Sequence, residues 1–368
     1  MTRPSTFAGH LLLASALLGS MPVVLTAACA HAQVKPAAKP APKPAAKPDA
    51  KDGSEPQKLQ LGDTVITADQ LDYDLEKKQY LFTGKERVVL VSKDSRMTSR
   101  KMTVLMTPDN QLSWAKCEGD VQVEKKNPDD GSVMTAVSKT LDYYEQDQKA
   151  NLVGDVTVRQ ESPKLAKPMV VTGERVDMDL ATKINVIHRG PGAQAKAHVE
   201  PKGTDGKPGE PVDLIADRIE VNSDTQAYVA TGKPVMIRPT SRLEARKLRF
   251  MVDPMSNDVK VAYADDDVVF DSKNEKGATL HATSKNGTYN KEQAQVKLIG
   301  DVRAASKDPS EEKPTIYECQ EFEYNTVTGY RKMSGGVKVI LPEKPKPAPA
   351  DPNAKPDKPT PEKSSDKK

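Results

Sequence analysis

The chain has 368 residues, of which 36% are hydrophobic, 29% are charged and only 4% are aromatic. This length allows two ordinary domains, whose cores would rest on Val, Leu, Ile, Met and Ala. The formal net charge of +3 is nearly balanced, which argues against a dedicated nucleic-acid binder. We therefore expect no nucleic acid among its partners.

Residues 1–32 have the features of a secretory signal peptide. An apolar run from Leu11 to Ala28 follows the single charge of Arg3, and Ala30-His31-Ala32 supplies an A-x-A cleavage site. The sequence therefore predicts export with cleavage of the leader. An uncleaved membrane anchor and a lipoprotein modified at Cys29 remain open alternatives.

Two segments rich in Lys, Pro and Ala flank the central part of the chain. Residues 33–58 form the first segment, and residues 343–368 form the second. Such segments have little to bury, so we expect disordered, extended and semi-rigid tethers. Basic arms of this kind could also touch anionic surfaces.

The central region is built around strands that alternate apolar and other residues on either side of a Gly-Asp step. Residues 150–158 read Ala-Asn-Leu-Val-Gly-Asp-Val-Thr-Val, and related phrases surround Gly119 and Gly300. Alternation of this length predicts a strand with one buried face. A glycine inside a strand indicates a bulge, a bend or a close approach of two backbones.

A second pattern, a small residue followed three and five positions later by apolar or aromatic residues, recurs along the chain. Its copies begin at Ala68, Ser99, Ser138, Gly173, Ala216, Ala245, Ser284 and Cys319. An offset of 146 residues superposes Gly154 on Gly300 and Tyr143 on Tyr289. The chain thus contains about eight repeats of about 35 residues, arranged as four units and their duplicate, which is typical of stacked supersecondary units.

These repeats define the predicted organisation. We expect an all-β, antiparallel fold with a first repeat region at residues 59–200, a linker at 201–211 and a second repeat region at 212–342. Cys117 and Cys319 fall in different regions, so we expect two free, buried thiols. In the 146-residue alignment, Cys117 corresponds to Tyr263, and Asp265-Asp266-Asp267 corresponds to Gly119-Asp120-Val121.

Nothing in the sequence points to catalysis. The chain has no Gly-x-Ser-x-Gly elbow, P-loop or dinucleotide fingerprint. His188, His198 and His281 lack partners at the spacing of metal ligands, and Asp265-Asp266-Asp267 is more simply a solvated turn than a calcium site. We therefore expect no enzyme activity, cofactor or metal, with a polysaccharide-acting β-solenoid as the open alternative.

Four phrases resemble the OstA-like family of periplasmic lipopolysaccharide-transport proteins, to which LptA belongs. They are Ile66-Thr67-Ala68-Asp69, Phe82-Thr83-Gly84, Leu152-Val153-Gly154-Asp155-Val156 and Leu214-Ile215-Ala216-Asp217. The resemblance covers residues 60–341 and implies two tandem, open, V-shaped antiparallel β-jelly-roll modules. It also implies a non-enzymatic bridge in the periplasm whose apolar inner faces carry lipopolysaccharide, or a similar glycolipid, from the inner to the outer membrane.

The same resemblance implies two kinds of protein contact. Edge strands would pair with other OstA-like transport components, and head-to-tail self-association would use the same strands. A structural scaffold of the cell envelope, with filled β cores, remains the alternative to a lipid carrier.

Alternation selects the side chains of the inner face, which are candidates for lining a lipid groove. They are Ile66, Leu71, Tyr73, Phe82, Met102, Val104, Leu141, Tyr143, Leu152, Val156, Ile219, Val221, Phe250, Tyr289, Leu298, Phe322 and Tyr324. Ordinary core packing is the alternative role for each, because alternation identifies a buried face but not what covers it. Lys101, Lys139, Lys247 and Lys285 recur beside the small residue, where they could meet lipid phosphates at the groove mouth or simply be solvated.

Overall fold

The computed structural model describes residues 56–342, except residues 62, 109–111, 129, 203–205, 223, 254–257 and 275. The predicted signal peptide and nearly all of both Lys/Pro-rich segments lie outside the described residues. Within the described part, every regular element is a β-strand and every strand pairing is antiparallel, which confirms the predicted fold class. No helix in that part is long and apolar enough to cross a membrane.

The strands fall into two groups by length, one of 11 to 15 residues and one of 3 to 7. In chain order they are β1 (Gln57–Leu61), β2 (Thr64–Ala68), β3 (Gln70–Asp74), β4 (Gln79–Val91), β5 (Ser95–Met106), β6 (Leu112–Lys126), β7 (Val133–Tyr144), β8 (Lys149–Glu161), β9 (Leu165–Asp179), β10 (Ile184–His188), β11 (Ala195–Pro201), β12 (Val212–Ala216), β13 (Arg218–Asn222), β14 (Ala227–Thr231), β15 (Val235–Arg238), β16 (Ser241–Glu244), β17 (Lys247–Val252), β18 (Val259–Lys273), β19 (Thr279–Asn290), β20 (Gln295–Lys307), β21 (Thr315–Asn325), β22 (Arg331–Ser334) and β23 (Lys338–Ile340).

Each long strand contributes to two sheets. In β8, Leu152 pairs with β7 before a register shift between Val153 and Thr157, and Val158 pairs with β7 after it. The same shift recurs in the other long strands, so the bends line up into one seam. We call the sheet with Leu152 sheet A, the sheet with Val158 sheet B, and the edges opposite the seam, where the hairpin turns lie, the mouth.

The Gly-Asp step makes the bend. Gly154 and Asp155 both have left-handed backbone conformations, with φ of 87° and 48°, and Gly300 and Asp301 repeat them at 83° and 48°. Two consecutive left-handed residues insert a bulge that turns the strand. A Cβ added at Gly154 would lie 2.6 Å from Cδ of Lys139, because the Lys139 side chain packs over the glycine. The expected bulge and bend are therefore present, and the close neighbour of the glycine is a side chain rather than a second backbone.

The small residue of the repeat has a specific task at the seam. The Ser138 hydroxyl donates a hydrogen bond of 2.9 Å to the carbonyl of Thr140, two residues further along the same strand. Ser99 and Ser284 make the same bond at 3.0 and 2.9 Å. The hydroxyl therefore satisfies a backbone carbonyl where the strand passes from one sheet to the other.

The triple aspartate is part of the seam, one position away from where the sequence alignment places it. Asp266 and Asp267 have φ of 59° and 51°, and the register shift lies between Asp265 and Val268. Asp266 therefore occupies the place of Gly119. The carboxylate of Asp267 accepts a hydrogen bond from Arg246 at 2.5 Å, on an exposed surface.

Both cysteines are buried and free, as expected. Cys117 is 1% exposed and Cys319 is 5% exposed. The one-residue shift at the triple aspartate changes the match of Cys117 from Tyr263 to Ala264. Ala264 is 2% exposed, whereas Tyr263 is 42% exposed and points outward, so the alignment with Tyr263 was wrong.

The two repeat regions share both sheets. On sheet A, β9 pairs with β10, and β10 pairs with β13 of the second region. On sheet B, β9 pairs with β11, and β11 pairs with β12. The loop after β11 therefore connects strands that are already neighbours, and both sheets continue without a break from one region to the next.

The space between the sheets as a candidate lipid site

One inward-facing row of cross-strand neighbours runs along sheet A from its first described strand to its last. This seam row consists of Leu71, Phe82, Met102, Cys117, Leu141, Leu152, Val176, Ile187, Ile219, Ala230, Leu248, Ala264, Gly287, Leu298, Phe322 and Met333. No member carries a charge or a hydrogen-bonding oxygen or nitrogen in its side chain. At about 4.8 Å per strand, the row is about 70 Å long.

A second inward row lies two residues nearer the mouth. This mouth row consists of Tyr73, Tyr80, Val104, Ala115, Tyr143, Ala150, Met178, Asn185, Val221, Tyr228, Phe250, Ala262, Tyr289, Val296, Tyr324 and Arg331. Tyrosine recurs in it, and tyrosine suits a boundary because its ring is apolar and its hydroxyl is polar. Burial raises the pKa of Tyr80, Tyr143, Tyr228 and Tyr324, so these phenols stay protonated.

Sheet B presents an equally continuous apolar row toward sheet A. This facing row consists of Leu59, Ile66, Leu90, Met97, Val123, Ala136, Val158, Val171, Ala197, Leu214, Met236, Leu243, Phe270, Ala282, Ala304, Tyr317 and Val339. Most of its members belong to the same hydrophobic cluster as the two rows of sheet A. The seam row and the facing row therefore form two apolar surfaces that lie opposite each other along the whole described length.

The structure places all of the sequence-predicted groove residues on inner faces. Ile66 belongs to the facing row, Val156 lies beside the seam, and the other candidates belong to the seam row or the mouth row. Leu71, Tyr143 and Tyr289 are half-buried, whereas the remaining candidates except Tyr73 are at most 6% exposed.

Tyr73 is the exposed exception. Its side chain is 43% exposed although it points inward, because β3 has a neighbour on one side only within the described residues. Its ring stacks on that of Tyr80, with the ring centroids 4.3 Å apart. Tyr73 therefore lies at the open end of the inner space.

The second repeat region contains a cavity of about 290 Å³ between the two sheets. Its apolar lining comes from both sheets and consists of Met236, Leu243, Ala262, Phe270, Val296, Leu298 and the ring of Tyr289. Its rim toward the mouth is polar, with Glu210, Arg238, Lys273 and Asn274 among the lining residues. An apolar floor below a polar rim suits an amphipathic ligand, and the volume is near the lower limit for ligand pockets, about 300 Å³.

The candidate list from the sequence contained only part of this lining. It included Tyr289 and Leu298 and omitted Val296, which pairs with Tyr289 and alternates with Leu298 along β20. Met236 was also omitted, although it is the buried position of the short Val-Met-Ile-Arg strand. Continuing the alternation along β20 could have identified Val296, and applying it to the short strands could have identified Met236.

The rim also carries an ion pair that connects the two sheets. Nη2 of Arg238, at the end of β15 in sheet B, donates to Oδ1 of Asp258 at 3.0 Å, just before β18 in sheet A. Nζ of Lys291, in the sheet A turn after β19, lies 2.6 Å from Oδ2 of the same carboxylate. The Arg238 guanidinium also lies over the Tyr289 ring, 5.5 Å from its centroid.

The recurring lysines lie at the seam and are exposed, so the solvated role is confirmed and the role at the groove mouth is not. Nζ of Lys139 lies 2.6 Å from Asp155, and Nζ of Lys285 lies 2.7 Å from Asp301. Both pairs are exposed, and the Lys285 hydrogen bond lowers the pKa of Asp301. Because these lysines directly follow the small residue of the repeat, the bend holds them on the side away from the mouth. Lys101 and Lys247 lie one position further along the chain. Arg100 and Arg246 take the place of Lys139 and Lys285 in those repeats, and they bond Asp120 and Asp267.

The described residues contain no group of three or more His, Cys, Asp or Glu side chains that could hold a metal ion. His188, His198 and His281 instead each face one aspartate on a neighbouring strand, at 2.9, 2.6 and 2.7 Å. These contacts are cross-strand pairs of the sheet surfaces.

The described sheets end in strands with one neighbour each. At the beginning, β1 pairs with β2 and β3 pairs with β4. At the end, both β22 and β23 pair with β21. Apolar side chains in and next to the last strands are also exposed, with Tyr330 at 66%, Val339 at 47% and Leu341 at 71% exposure.

Comparison with known proteins identifies the family. The family model described as "LptA/(LptD N-terminal domain) LPS transport protein" matches residues 65–184 and 213–330, which is well over half of the chain. The chain belongs to this family. The two matched segments correspond to the two repeat regions, and members of the family are proteins of lipopolysaccharide transport.

A solved structure of a smaller protein is also similar. It is that of LptH, "the LptA homologous periplasmic component of the conserved lipopolysaccharide transport device from Pseudomonas aeruginosa". The sequence identity is 19%, the match covers 38% of this chain and 95% of that chain, and the TM-score is 0.32. The family assignment therefore rests on the family model. The comparison with curated proteins gives no match.

Proposed function

We propose that this chain is a non-enzymatic periplasmic bridge that carries lipopolysaccharide, or a similar glycolipid, from the inner to the outer membrane. The acyl chains of the lipid would lie between the two sheets while its sugars stay in water. The observation that carries the proposal is the continuity of the seam row and the facing row, which run opposite each other through both repeat regions. Membership of the lipopolysaccharide-transport family supports the choice of cargo.

The physical need for such a path is simple. Each methylene group of an acyl chain that is exposed to water costs about 0.8 kcal/mol, so a lipid with several chains cannot cross an aqueous space unaided. A path without polar interruptions removes that cost at every step. No bond is made or broken on this path, and directional movement would come from an energy-using partner.

Lipid would enter by separating the sheets at the mouth. Most inner side chains pack against the opposite sheet, so acyl chains would replace contacts between the sheets rather than fill an empty groove. The seam consists of continuous strands, so it stays closed while the mouth opens. The cavity near Leu298 is the place where this replacement needs the least displacement.

Strand addition at both ends would connect the bridge to its partners. β1 and β3 at one end, and β22 and β23 at the other, each have one neighbour within the described residues. Unpaired backbone groups on such edges are templates for another strand. We propose that other transport components of this family, or further copies of this chain, pair there.

Photocrosslinking in cells tests the cargo. A photoreactive residue would replace Leu298, which is 0% exposed and lines the cavity, or its outward neighbour Ile299, which is 36% exposed. Leu152 and Val153 provide the same inward and outward pair in the first region. We expect adducts with lipopolysaccharide at Leu298 and Leu152 but not at the two outward positions.

The alternative function is a structural scaffold with filled cores. The burial of most predicted groove residues favours this alternative, and an absence of lipid adducts would support it. If the protein is folded in the periplasm and neither inward position captures lipid, the carrier proposal fails. Equal capture at inward and outward positions would also contradict it, because that result would indicate adhesion of lipid to the surface.

A further inference from the structure

We propose that Arg238 latches the mouth of the second repeat region, and that the phosphate of an anionic lipid opens the latch by replacing Asp258 as the partner of the guanidinium. The inference rests on the proposed lipid-carrying function. It assigns to one side chain the tasks of holding the sheets together and of recognising the charged head of the cargo.

The latch spans the mouth. Arg238 belongs to sheet B, whereas Asp258 and Tyr289 belong to sheet A, and the contacts are 3.0 Å to the carboxylate and 5.5 Å to the ring centroid. The seam joins the sheets covalently on the opposite side. Separation of the sheets at this point therefore breaks both contacts of Arg238.

The ion pair is shielded from water. The Arg238 and Asp258 side chains are only 12% and 20% exposed, whereas the ion pair of Arg242 and Glu244 on the same hairpin is 46% and 38% exposed. Shielding strengthens the attraction between the charges, but it makes a lone charge costly. Arg238 can therefore leave Asp258 readily only if another anion takes its place.

Asp258 has a second cationic partner, which allows that exchange of anions. Its second oxygen already lies 2.6 Å from Nζ of Lys291, so the carboxylate keeps a cation when Arg238 leaves. The guanidinium, for its part, matches a phosphate as well as a carboxylate, because its N–H groups bind two oxygens at once. An exchange of anions thus leaves neither charge without a partner.

The cavity below the latch selects the rest of the ligand. Arg238 and Lys273 lie at its rim, and Phe270, Val296 and Leu298 form part of its apolar lining. A ligand with a phosphate and an attached hydrocarbon chain satisfies both parts at once. A bare phosphate leaves the apolar part unfilled, and an uncharged lipid leaves the latch closed.

The first repeat region has no equivalent side chain at this position. Leu90 and Met236 correspond in the facing row, and two residues further along the chain are Ser92 and Arg238. Oγ of Ser92 lies 2.5 Å from Oγ of Ser95, within its own hairpin. A serine is too short to reach the opposite sheet, so the latch is a device of the second region.

Two variants that break the same ion pair provide the test. Calorimetric titration of the full chain would use dodecyl phosphate below its micelle concentration. Arg238→Ala removes the cation that the phosphate needs, so we expect binding to weaken by about tenfold. Asp258→Asn frees the guanidinium from its competitor, so we expect binding to strengthen several-fold. If the ion pair only stabilises the fold, both variants should change the affinity for dodecyl phosphate in the same direction.

Several controls keep the result specific. Arg242→Ala removes the same charge from an exposed pair on the same hairpin and should leave binding unchanged. Dodecyl maltoside has the chain without the charge, so Arg238→Ala should not weaken its binding. Inorganic phosphate alone should bind far more weakly than dodecyl phosphate. Arg238→Lys retains a cation and should lie between wild type and Arg238→Ala, which gives a usable variant if the alanine protein does not fold.

Shifts in the same direction for Arg238→Ala and Asp258→Asn, or no shift in either, would overturn the latch. Tight binding of inorganic phosphate alone would also overturn it, since the lipid chain would then have no part.

Lipopolysaccharide titrated in parallel separates the two proposals. If dodecyl phosphate behaves as expected and lipopolysaccharide does not bind, the cargo proposal fails and the latch remains. If lipopolysaccharide binds and the variants shift together, the latch fails and the cargo proposal remains. If neither lipid binds the wild type, both fail.

Discussion

Gly154 illustrates how single residues set the angle between the two sheets. Its φ of 87° and that of Asp155, 48°, place two left-handed residues in succession in the middle of a strand. A left-handed conformation costs a non-glycine residue about 1–2 kcal/mol, and Asp tolerates it better than most because its short side chain can bond locally. The sequence Gly-Asp therefore has the two residue types that this bend accepts most easily.

Gly154→Ala should lower the free energy of unfolding by about 1–3 kcal/mol. The new Cβ would lie 2.6 Å from Cδ of Lys139, in addition to the strain of the left-handed conformation. Urea denaturation followed by circular dichroism would measure the change. Gly192→Ala is the matched control, because an added Cβ there meets nothing within 4 Å.

A further variant separates the two causes of that loss. Lys139→Gly removes every contact of the added Cβ with residue 139, including the one with Cβ of Lys139 at 2.8 Å, but leaves the backbone strain. Gly154→Ala should therefore cost less in the Lys139→Gly background than in the wild type, but should still destabilise. If Gly154→Ala is no more destabilising than Gly192→Ala, the bend does not depend on glycine at this position.

At the scale of strands, local features of the sequence predicted most of the fold. Alternation and the Gly-Asp step identified β8 and its bend, because both depend on residues that are neighbours in the chain. The same reasoning explains a difference between the repeats, since β4 is one strand whereas its counterpart is divided into β14 and β15. Pro234 lies between β14 and β15, and a proline has no N–H to donate to a neighbouring strand.

Non-local features were not predictable in the same way. The pairing of β10 with β13 joins the two regions, but no pattern within either strand specifies its partner. Alternation also identified the inner face without revealing that the opposite sheet covers it. The contact of Arg238 between the sheets could not be predicted from the sequence. An arginine at the end of a strand usually faces solvent, and its partner Asp258 comes from a separate turn.

Val186→Pro tests the strand that connects the regions. Val186 faces Asp177 of β9 on one side and Glu220 of β13 on the other, so β10 is an interior strand of sheet A. A proline removes an N–H and is accepted almost only at sheet edges, so we expect a loss of stability on the order of 3 kcal/mol. Urea denaturation would measure this loss. Hydrogen exchange should show that the amides of β10 and β13 lose protection first.

Val339→Pro is the control for that experiment, because β23 pairs with one strand in the described part of the chain and its side chains are exposed. We expect it to cost much less than Val186→Pro. Equal losses for the two variants would contradict the role of β10 as an interior strand that joins the repeat regions.

At the scale of the molecule, duplication has extended one structure rather than produced two separate ones. The seam row passes from Leu152 through Val176, Ile187 and Ile219 into the second region without a polar side chain. The nearest polar member of sheet A's inner face is Asn185, which is 3% exposed and lies in the mouth row. A lipid chain near the seam therefore meets the same chemistry in both regions and between them.

Photocrosslinking at the junction tests whether the lipid path is continuous. Ile187 is 1% exposed and lies in the seam row between the two regions, and its neighbour Val186 points outward. If lipid passes from one region to the other, a photoreactive residue at Ile187 should capture the same lipid as one at Leu152 or Leu298. The residue at Val186 should capture none.

The pattern of capture distinguishes a path from two separate sites. Lipid adducts at Leu152 and Leu298 without any at Ile187 would mean that each region holds its own lipid and that the continuous row serves only to pack the sheets. Arg238→Ala shows whether the two regions open separately. If the mouth opens in the second region alone, the variant should change lipid capture at Leu298 more than at Leu152. Equal changes at both positions would indicate that the sheets open along their whole length, since a seam shared by both regions can transmit separation from one to the other.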